Sequence, residues 1–267
     1  MILEMFKFYF AILLLCHFIG DFYLQTKKMA KSKENDYKKT IVHSILYTVP
    51  FFVVFIIGIF YITTTDALTY LFLALAVASI SHLIIDLIKC SIMKKDSTKK
   101  NNESENQKDD EIEKDNRSTL FFADQLSHIL FLATIALVIC NIESYVSIWS
   151  SFPPNYAEIL YFVLLITFVT VPSSIIFKMI FKKYQPIPKT SESIEGAGEI
   201  IGFMERILTA VFCVMGQFTA VGFIIAAKSI ARYDKISKDG AFAEYYLIGT
   251  LFSILVTVAA FMLLCYS

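Results

Sequence analysis

All four histidines of this chain fall within apolar segments: His17, His43, His82 and His128. Three of them have an aspartate four residues away; the pairs are His17 with Asp21, His82 with Asp86, and His128 with Asp124. On an α-helix this spacing places both side chains of a pair on one face. Imidazole nitrogen and carboxylate oxygen together are typical ligands of zinc, manganese and iron. The pattern therefore predicts a metal site assembled from several helices.

The composition is that of a membrane protein. Of the 267 residues, 56% are hydrophobic, and the mean hydropathy is +0.61, whereas a soluble domain is usually about 45–50% apolar. The first apolar segment is too long, and too polar in its second half, to be a cleaved signal peptide. The sequence has no basic patch with interleaved aromatic residues, which argues against a nucleic-acid partner.

Apolar segments long enough to cross a bilayer recur along the chain. They cover about residues 5–25, 40–62, 67–89, 120–141, 157–181, 200–227 and 245–265. We therefore predict an all-α fold, a polytopic transmembrane helical bundle of about seven membrane helices. Residues 94–118 contain few apolar side chains, and we expect a disordered linker there. This gives three parts: helices one to three with the His/Asp site over 1–93, the linker over 94–118, and helices four to seven over 119–267.

Lysine distribution predicts the orientation of the helices. The loops after spans one, three and five are rich in lysine, whereas those after spans two and four carry almost none. The positive-inside rule then places the N-terminus outside and the linker in the cytoplasm. Strict alternation would place a basic stretch outside, against the same rule; it contains Lys228, Arg232, Lys235 and Lys238. Either the sixth segment is therefore re-entrant, or this stretch folds back onto the bundle.

With this topology the four histidines and three aspartates share one layer of the membrane. At about 1.5 Å per residue, all seven groups lie within ~6–14 Å of the cytoplasmic face. We predict these residues as metal ligands: His17, Asp21, His43, His82, Asp86, Asp124 and His128. The set suffices for one ion or two, with zinc as the first choice and manganese or iron as alternatives. The candidates for a bridging or general-base role are Asp21, Asp86 and Asp124.

Other polar residues are candidates for binding a substrate. Gln25 and Gln125 lie near the histidines in sequence and would orient a water or substrate molecule. In the C-terminal third the candidates are Glu205, Arg206, Lys228 and Arg232. An arginine beside a metal would bind phosphate or carboxylate through paired hydrogen bonds. The alternative is that these side chains form structural ion pairs and extend their charged ends to the membrane surface.

The same segments resemble the DUF3307 family, bacterial integral membrane proteins of uncharacterised function. The matching pieces are HFIGDFYLQ (17–25), HSILY (43–47), HLIID (82–86) and DQLSH (124–128), with GEIIGFMER (198–206), AKSIAR (227–232) and EYYLIGT (244–250) resembling longer members. The resemblance covers most of the chain except the polar tract. It implies a protein of the bacterial cytoplasmic membrane and no established activity. The His-x3-Asp pattern is also similar, more weakly, to that of predicted membrane-bound metal-dependent hydrolases.

Three functions fit these residues. The first is a membrane-embedded metal-dependent hydrolase acting on a lipid or amphiphilic ester or phosphoester near the cytoplasmic face. The second is a transporter of a divalent metal or a proton-coupled solute, which would use the same His/Asp layer. The third is a non-catalytic membrane module whose polar layer only fixes helix packing. In each case we expect either a homo-oligomer or a soluble cytoplasmic partner bound through the linker.

Overall fold

The structure, a computed structural model, describes residues 2–33, 36–62, 64–100, 108–142, 154–186 and 196–265. Within these residues the chain is helical and contains no strand. The helices are α1 (Ile2–Phe18), α2 (Lys27–Lys33), α3 (Tyr37–Tyr61), α4 (Thr65–Lys100), α5 (Lys108–Cys140), α6 (Pro154–Phe181), α7 (Ala197–Val214), α8 (Phe218–Ala231), α9 (Tyr233–Lys238) and α10 (Gly240–Leu264).

Among the described residues, six helical segments are long and apolar enough to cross a membrane. They are Ile2–Tyr23, Tyr37–Tyr61, Thr65–Lys95, Arg117–Cys140, Asn155–Tyr184 and Gly240–Leu264. The shortest has 22 residues, and a bilayer requires about 20. The predicted all-α helical bundle is confirmed, and these lengths indicate an integral membrane protein.

The first of two compact units extends from Met1 to Ala157. In it α3 packs on α4, α4 on α5, α5 on α1, and α1 on α3, so that the four helices close a ring. The interior of the ring holds polar side chains together with apolar ones, while large apolar side chains face outwards: His43 is 0% exposed, whereas Ile45 on the same helix is 63% exposed. An apolar exterior around buried ionisable groups is typical of a bundle surrounded by lipid.

The end of the first membrane helix departs from α-helical geometry. α1 ends in a π-helical turn over Ile19–Tyr23, where the sequence predicted a regular helix to residue 25. Such turns are rare and recur at functional sites. Gly20 lies in this turn, and a Cβ atom on it would be 2.7 Å from Cδ2 of Tyr47 on α3. Glycine therefore lets α1 and α3 approach each other closely beside Asp21.

The helices that flank the polar tract extend into it from both sides. α4 continues to Lys100 and α5 begins at Lys108, whereas the sequence predicted a disordered linker over 94–118. Lysine and glutamate are good helix formers, so a membrane helix extends beyond the bilayer when such residues follow it. Residues 101–107, which complete the predicted linker, lie outside the described residues.

The second compact unit extends from Glu158 to Ser267. Four of its helices, α6, α7, α8 and α10, share one apolar core formed by Leu165, Val169, Ala210, Cys213, Val221, Ala260 and Phe261. α7 packs on α8 and on α10, and the short α9 also packs on α10. Both helices of the sixth apolar segment are therefore part of this core.

The sixth apolar segment, predicted over 200–227, consists of two helices that form a hairpin. α7 ends at Val214 and α8 begins at Phe218. Gly216 between them has a φ of 69°, a left-handed conformation that glycine adopts without strain. Lys228, near the end of α8, forms a 2.6 Å ion pair with Glu205 in α7. Since these two residues lie on either side of the turn and far from it, the helices must run antiparallel.

This hairpin returns the chain to the end of the unit at which it began. There Lys178 of α6 pairs with Glu199 of α7 at 2.7 Å, and Lys228 Nζ lies 4.9 Å from the ring centre of Tyr246 in α10. The described residues thus contain six membrane-length helices, where the sequence predicted about seven spans. The sequence left two alternatives, a re-entrant sixth segment or a basic stretch that folds back onto the bundle. A re-entrant segment removes the conflict with the positive-inside rule, because the basic stretch after α8 then lies beside the basic end of α6.

Candidate metal centre

Four helices of the N-terminal unit bring the seven predicted ligands into one buried cluster. α1 and its π-helical turn supply His17 and Asp21; α3 supplies His43; α4 supplies His82 and Asp86; α5 supplies Asp124 and His128. No member of this cluster is more than 6% exposed. From helical spacing and membrane depth, the sequence predicted that these groups share one layer. The fold brings them close together within that layer.

Two sets of three residues within the cluster place ligand atoms close enough to hold a cation. One set is Asp21, His43 and His82, and the other is His82, Asp86 and His128; in each, the ligand atoms lie within 4.8 Å of one another. Tetrahedral zinc with bonds of about 2.1 Å holds its ligand atoms about 3.4 Å apart, so small side-chain movements would suffice. Because His82 belongs to both sets, the arrangement fits one ion with a choice of partners, or two neighbouring ions if the His82 ring is deprotonated and bridges them.

Several ring nitrogens in these two sets are buried without a hydrogen-bond partner. They are both nitrogens of His43, both nitrogens of His82, and Nε2 of His128. His43 Nε2 lies 3.1 Å from Asp21 Oδ1, but the orientation of the two groups does not form a hydrogen bond. A buried polar atom without a partner costs about 1–3 kcal/mol. A bound cation would satisfy these nitrogens and the carboxylates that face them.

His17 is hydrogen-bonded in a way that separates it from the other three histidines. Its Nδ1 lies 3.2 Å from the Tyr47 hydroxyl, and its Nε2 lies 3.2 Å from Oε1 of Gln125. Gln125 Nε2 donates to Asp21 Oδ2 at 2.7 Å, which leaves Oε1 to accept a hydrogen bond from His17. The Tyr47 hydroxyl then donates to Nδ1. With both nitrogens bound by protein groups, His17 supports the Asp21 carboxylate through Gln125, and its predicted role as a ligand stays a prediction.

A stack of aromatic rings fixes the plane of His82. The Tyr47 ring lies against it with centroids 3.5 Å apart and planes 15° from parallel. On its other side lies the His128 ring, at 4.4 Å and 18°. Gly20 makes room for Tyr47 on α3. The HFIGD and HSILY segments thus position His82 as well as contributing residues of their own.

Two lysines that the sequence analysis did not identify complete the cluster. Lys33 Nζ on α2 lies 3.2 Å from Asp21 Oδ1 and 3.1 Å from Asp86 Oδ2. Lys89 Nζ on α4 lies 2.7 Å from Asp124 Oδ2. With neutral imidazoles, the three carboxylates and two ammonium groups leave one net negative charge. A divalent cation is electrostatically acceptable in such a site.

Lys33 keeps its charge in spite of its burial. Burial lowers the pKa of Lys33, but the negative charges of Asp21 and Asp86 outweigh this and hold the pKa above its ordinary value. Nothing in the sequence distinguishes Lys33 from the other lysines of the same loop, such as Lys28, whose side chain is exposed. Lys89 could have been identified from the sequence, because it follows Asp86 by three residues and therefore lies on the same face of α4.

Asp124 lies beside the two sets and not within them. Its Oδ2 is bound to Lys89, while its Oδ1 is buried, 3.4 Å from His128 Nε2, and has no hydrogen-bond partner. Asp21 and Asp86, by contrast, each have an oxygen bound to Lys33 and belong to a candidate set. Asp124 Oδ1 is therefore a candidate acceptor for proton transfer.

The remaining predicted substrate residues have other surroundings. Gln125 lies inside the hydrogen-bonded cluster, as described above, and Gln25 has a buried Oε1 without a hydrogen bond. Glu205 and Lys228 pair with each other in the C-terminal unit. Arg232 directly follows the last residue of α8 in that same unit. Their roles toward a substrate stay predictions.

Arg206 is held by the backbone of α6. The buried guanidinium of Arg206 donates to the carbonyl oxygens of Val169 and Thr170 and to the Ser174 hydroxyl. These contacts favour the structural alternative that the sequence left open for Arg206.

A ring of membrane-length helices around imidazole and carboxylate groups defines an α-helical integral membrane protein with a polar cluster in its interior. Within that class, the chain belongs to the DUF3307 family. Its residues 9–155 match the family described as "Protein of unknown function (DUF3307)". The matched range contains all seven predicted ligands and ends before α7. No curated protein and no solved structure matches the chain.

Proposed function

We propose that the protein binds a divalent metal, zinc in the first place, within the His/Asp cluster and hydrolyses an ester or phosphoester of an amphiphilic substrate. One observation carries the proposal: His43, His82 and His128 have buried ring nitrogens without hydrogen bonds, and these nitrogens lie among carboxylates. Buried polar atoms are satisfied by protein groups, by water or by a bound ion, and the carboxylates that face these nitrogens favour a cation.

The residues around the candidate sets have complementary roles in this proposal. A metal held there would supply hydroxide at neutral pH and polarise the ester oxygen. Asp124 Oδ1 would accept the proton of the attacking water, since it is buried, makes no hydrogen bond and lies 3.4 Å from His128 Nε2. Gln125 and Tyr47 would hold Asp21 and His82 in the orientation that binding requires.

An amphiphilic substrate follows from where the cluster opens. A cavity beside it is lined by Lys33, Thr40, Asp86, Lys89 and Cys90. Its position on α4 is close to Lys95, where the apolar span ends, so a substrate whose tail remains in the bilayer would reach it. The two ammonium groups favour an anionic head group, such as a phosphoester. By the positive-inside rule, the lysine-rich loop of α2 would place this opening at the cytoplasmic face.

Metal content together with turnover tests the proposal. We expect protein extracted in a mild detergent to contain stoichiometric transition metal and to hydrolyse a chromogenic aryl phosphate or ester in mixed micelles. His82→Ala should lose both properties. Ser127→Ala is a matched control, because Ser127 precedes His128 on α5 and its half-buried side chain donates to the Ala123 carbonyl of its own helix. Absence of stoichiometric metal from the gently extracted wild-type protein would overturn the proposal.

A second candidate is transport of a divalent metal. Buried His and Asp side chains within membrane helices, such as those of this cluster, also mark ion pathways. In this reading the cluster binds the ion transiently and releases it on the other side of the membrane. Uptake of zinc or manganese into liposomes that depends on His82, without hydrolytic turnover, would support transport over hydrolysis.

A further inference from the structure

We propose that Lys33 is a tethered cation: its ammonium group occupies the cation position between Asp21 and Asp86 when no metal is bound, and withdraws when a metal arrives. This inference rests on the proposed metal centre. It adds that the chain carries its own competitor for the site, which sets the metal concentration at which the site fills.

The geometry makes the ammonium group and a metal alternative occupants. Lys33 Nζ contacts Asp21 Oδ1 and Asp86 Oδ2. The same two oxygens are those that His43 Nε2 approaches, at 3.1 Å and 3.5 Å. An ion bound by Asp21, His43 and His82 would use Asp21 Oδ1 and would stand within a few ångströms of the ammonium group. Two cations at such a separation in a low-dielectric interior repel each other strongly.

The surroundings of Lys33 allow the side chain alone to move. Its carbonyl oxygen accepts a 2.9 Å hydrogen bond from Thr40 Oγ1, which anchors the end of α2 to α3. A lysine side chain rotates about four bonds and reorients without its backbone. The neighbouring opening has room for about one water-sized group, such as an ammonium, and is lined by Lys33 itself, with Thr40 and Lys89. It would receive the ammonium group after displacement.

The tethered cation also explains how the metal-free cluster is stable. Asp21 and Asp86 are buried, and two buried carboxylates without a nearby cation are strongly unfavourable. Lys33 compensates half of their charge and makes no contact that satisfies the ring nitrogens of His43 and His82, which stay available. The site is therefore kept folded and ready, at the expense of metal affinity.

Amine labelling of the wild-type protein tests the movement directly. The protein, freed of metal by a chelator, is treated with an N-hydroxysuccinimide ester with and without Zn²⁺, and lysine-containing peptides are quantified by mass spectrometry. We expect Zn²⁺ to increase modification of Lys33 about tenfold, because the group leaves its two carboxylates for an open cavity. Lys28, exposed on the same helix, should be modified equally in both conditions. Unchanged modification of Lys33 while Zn²⁺ is bound would overturn the inference.

Metal affinity tests the competition. We expect Lys33→Met to bind Zn²⁺ about tenfold more tightly or better, because the competing cation is absent, while Lys28→Met should bind like the wild type. Lys33→Gln, which retains a hydrogen-bond donor, serves if the methionine variant does not fold without metal. Equal or weaker affinity in the Lys33 variants overturns the tethered cation and leaves the metal centre intact. Absence of Zn²⁺ binding in every variant and in the wild type overturns the metal centre itself.

Discussion

The imidazole rings of His82 and His128 stack with centroids 4.4 Å apart and planes 18° from parallel. Through this contact α4 and α5 form one wall of the cluster, and His82 takes part in both candidate metal sets. Because His82 belongs to both sets, replacing it should affect metal binding differently from replacing His43 or His128.

Metal stoichiometry should therefore depend on which histidine is replaced. If both sets are filled, we expect two ions in the wild type, about one in His43→Ala and in His128→Ala, and none in His82→Ala, because His82 is common to both sets. Elemental analysis of each purified variant measures this. Equal losses in all three variants would show that a single ion uses the three histidines together.

Gln125 should support the metal centre without binding metal itself. It joins His17 to the Asp21 carboxylate by hydrogen bonds of 3.2 Å and 2.7 Å. Gln125→Ala should weaken metal affinity about 10–100-fold, the usual effect of removing a group that orients a ligand. Competitive titration with a zinc chelator measures the change. An unaltered affinity would show that Asp21 is held by other contacts, and Ser127→Ala on the same helix is the control.

Gly20 should be required for the packing of α1 on α3. A Cβ atom there would approach Tyr47 Cδ2 to 2.7 Å and the Tyr47 carbonyl oxygen to 3.1 Å, so Gly20→Ala should destabilise the N-terminal unit by about 1–3 kcal/mol. Gly198→Ala is the comparison, because a Cβ atom at that helical position has open space around it. Thermal unfolding in detergent measures both; a variant of Gly20 as stable as that of Gly198 would contradict the close approach.

Arg206 should stabilise the C-terminal unit by hydrogen-bonding to the backbone of α6. Arg206→Met removes buried hydrogen bonds to Val169, Thr170 and Ser174 and should cost about 1.5–3 kcal/mol. Thermal unfolding in detergent measures the loss. If Arg206 instead serves a substrate, activity would fall while stability stayed the same.

The α7–α8 hairpin predicts the membrane topology of the C-terminal unit. Cysteines introduced as Gly198→Cys and Ser237→Cys should react with a membrane-impermeant maleimide from the same side, since both positions are exposed and the hairpin returns to its starting side. Native Cys265, exposed beyond α10, should react from the opposite side. Native Cys265 would be replaced by serine when the other two positions are assayed. Reaction of Gly198→Cys and Ser237→Cys from opposite sides would contradict the hairpin.

The sequence by itself determined the class of fold and the layer in which the polar groups lie. The length of each apolar segment and the four-residue spacing of His17 with Asp21, and of His82 with Asp86, are local properties of the chain. Helical periodicity converts that spacing into a shared face, and the unfavourable free energy of polar groups in lipid turns that face inward. For these reasons the convergence of four helices could be predicted without coordinates.

Only the tertiary structure decided what each polar group contacts. Sequence patterns treat His17 and His82 alike, yet His17 has both nitrogens hydrogen-bonded and His82 has neither. Lys33 enters the cluster from a loop of similar lysines, and Lys228 shows by its contact with Glu205 that an apolar segment turns back. These relationships join residues far apart in the chain. They depend on the rotation and packing of whole helices, which no local pattern records.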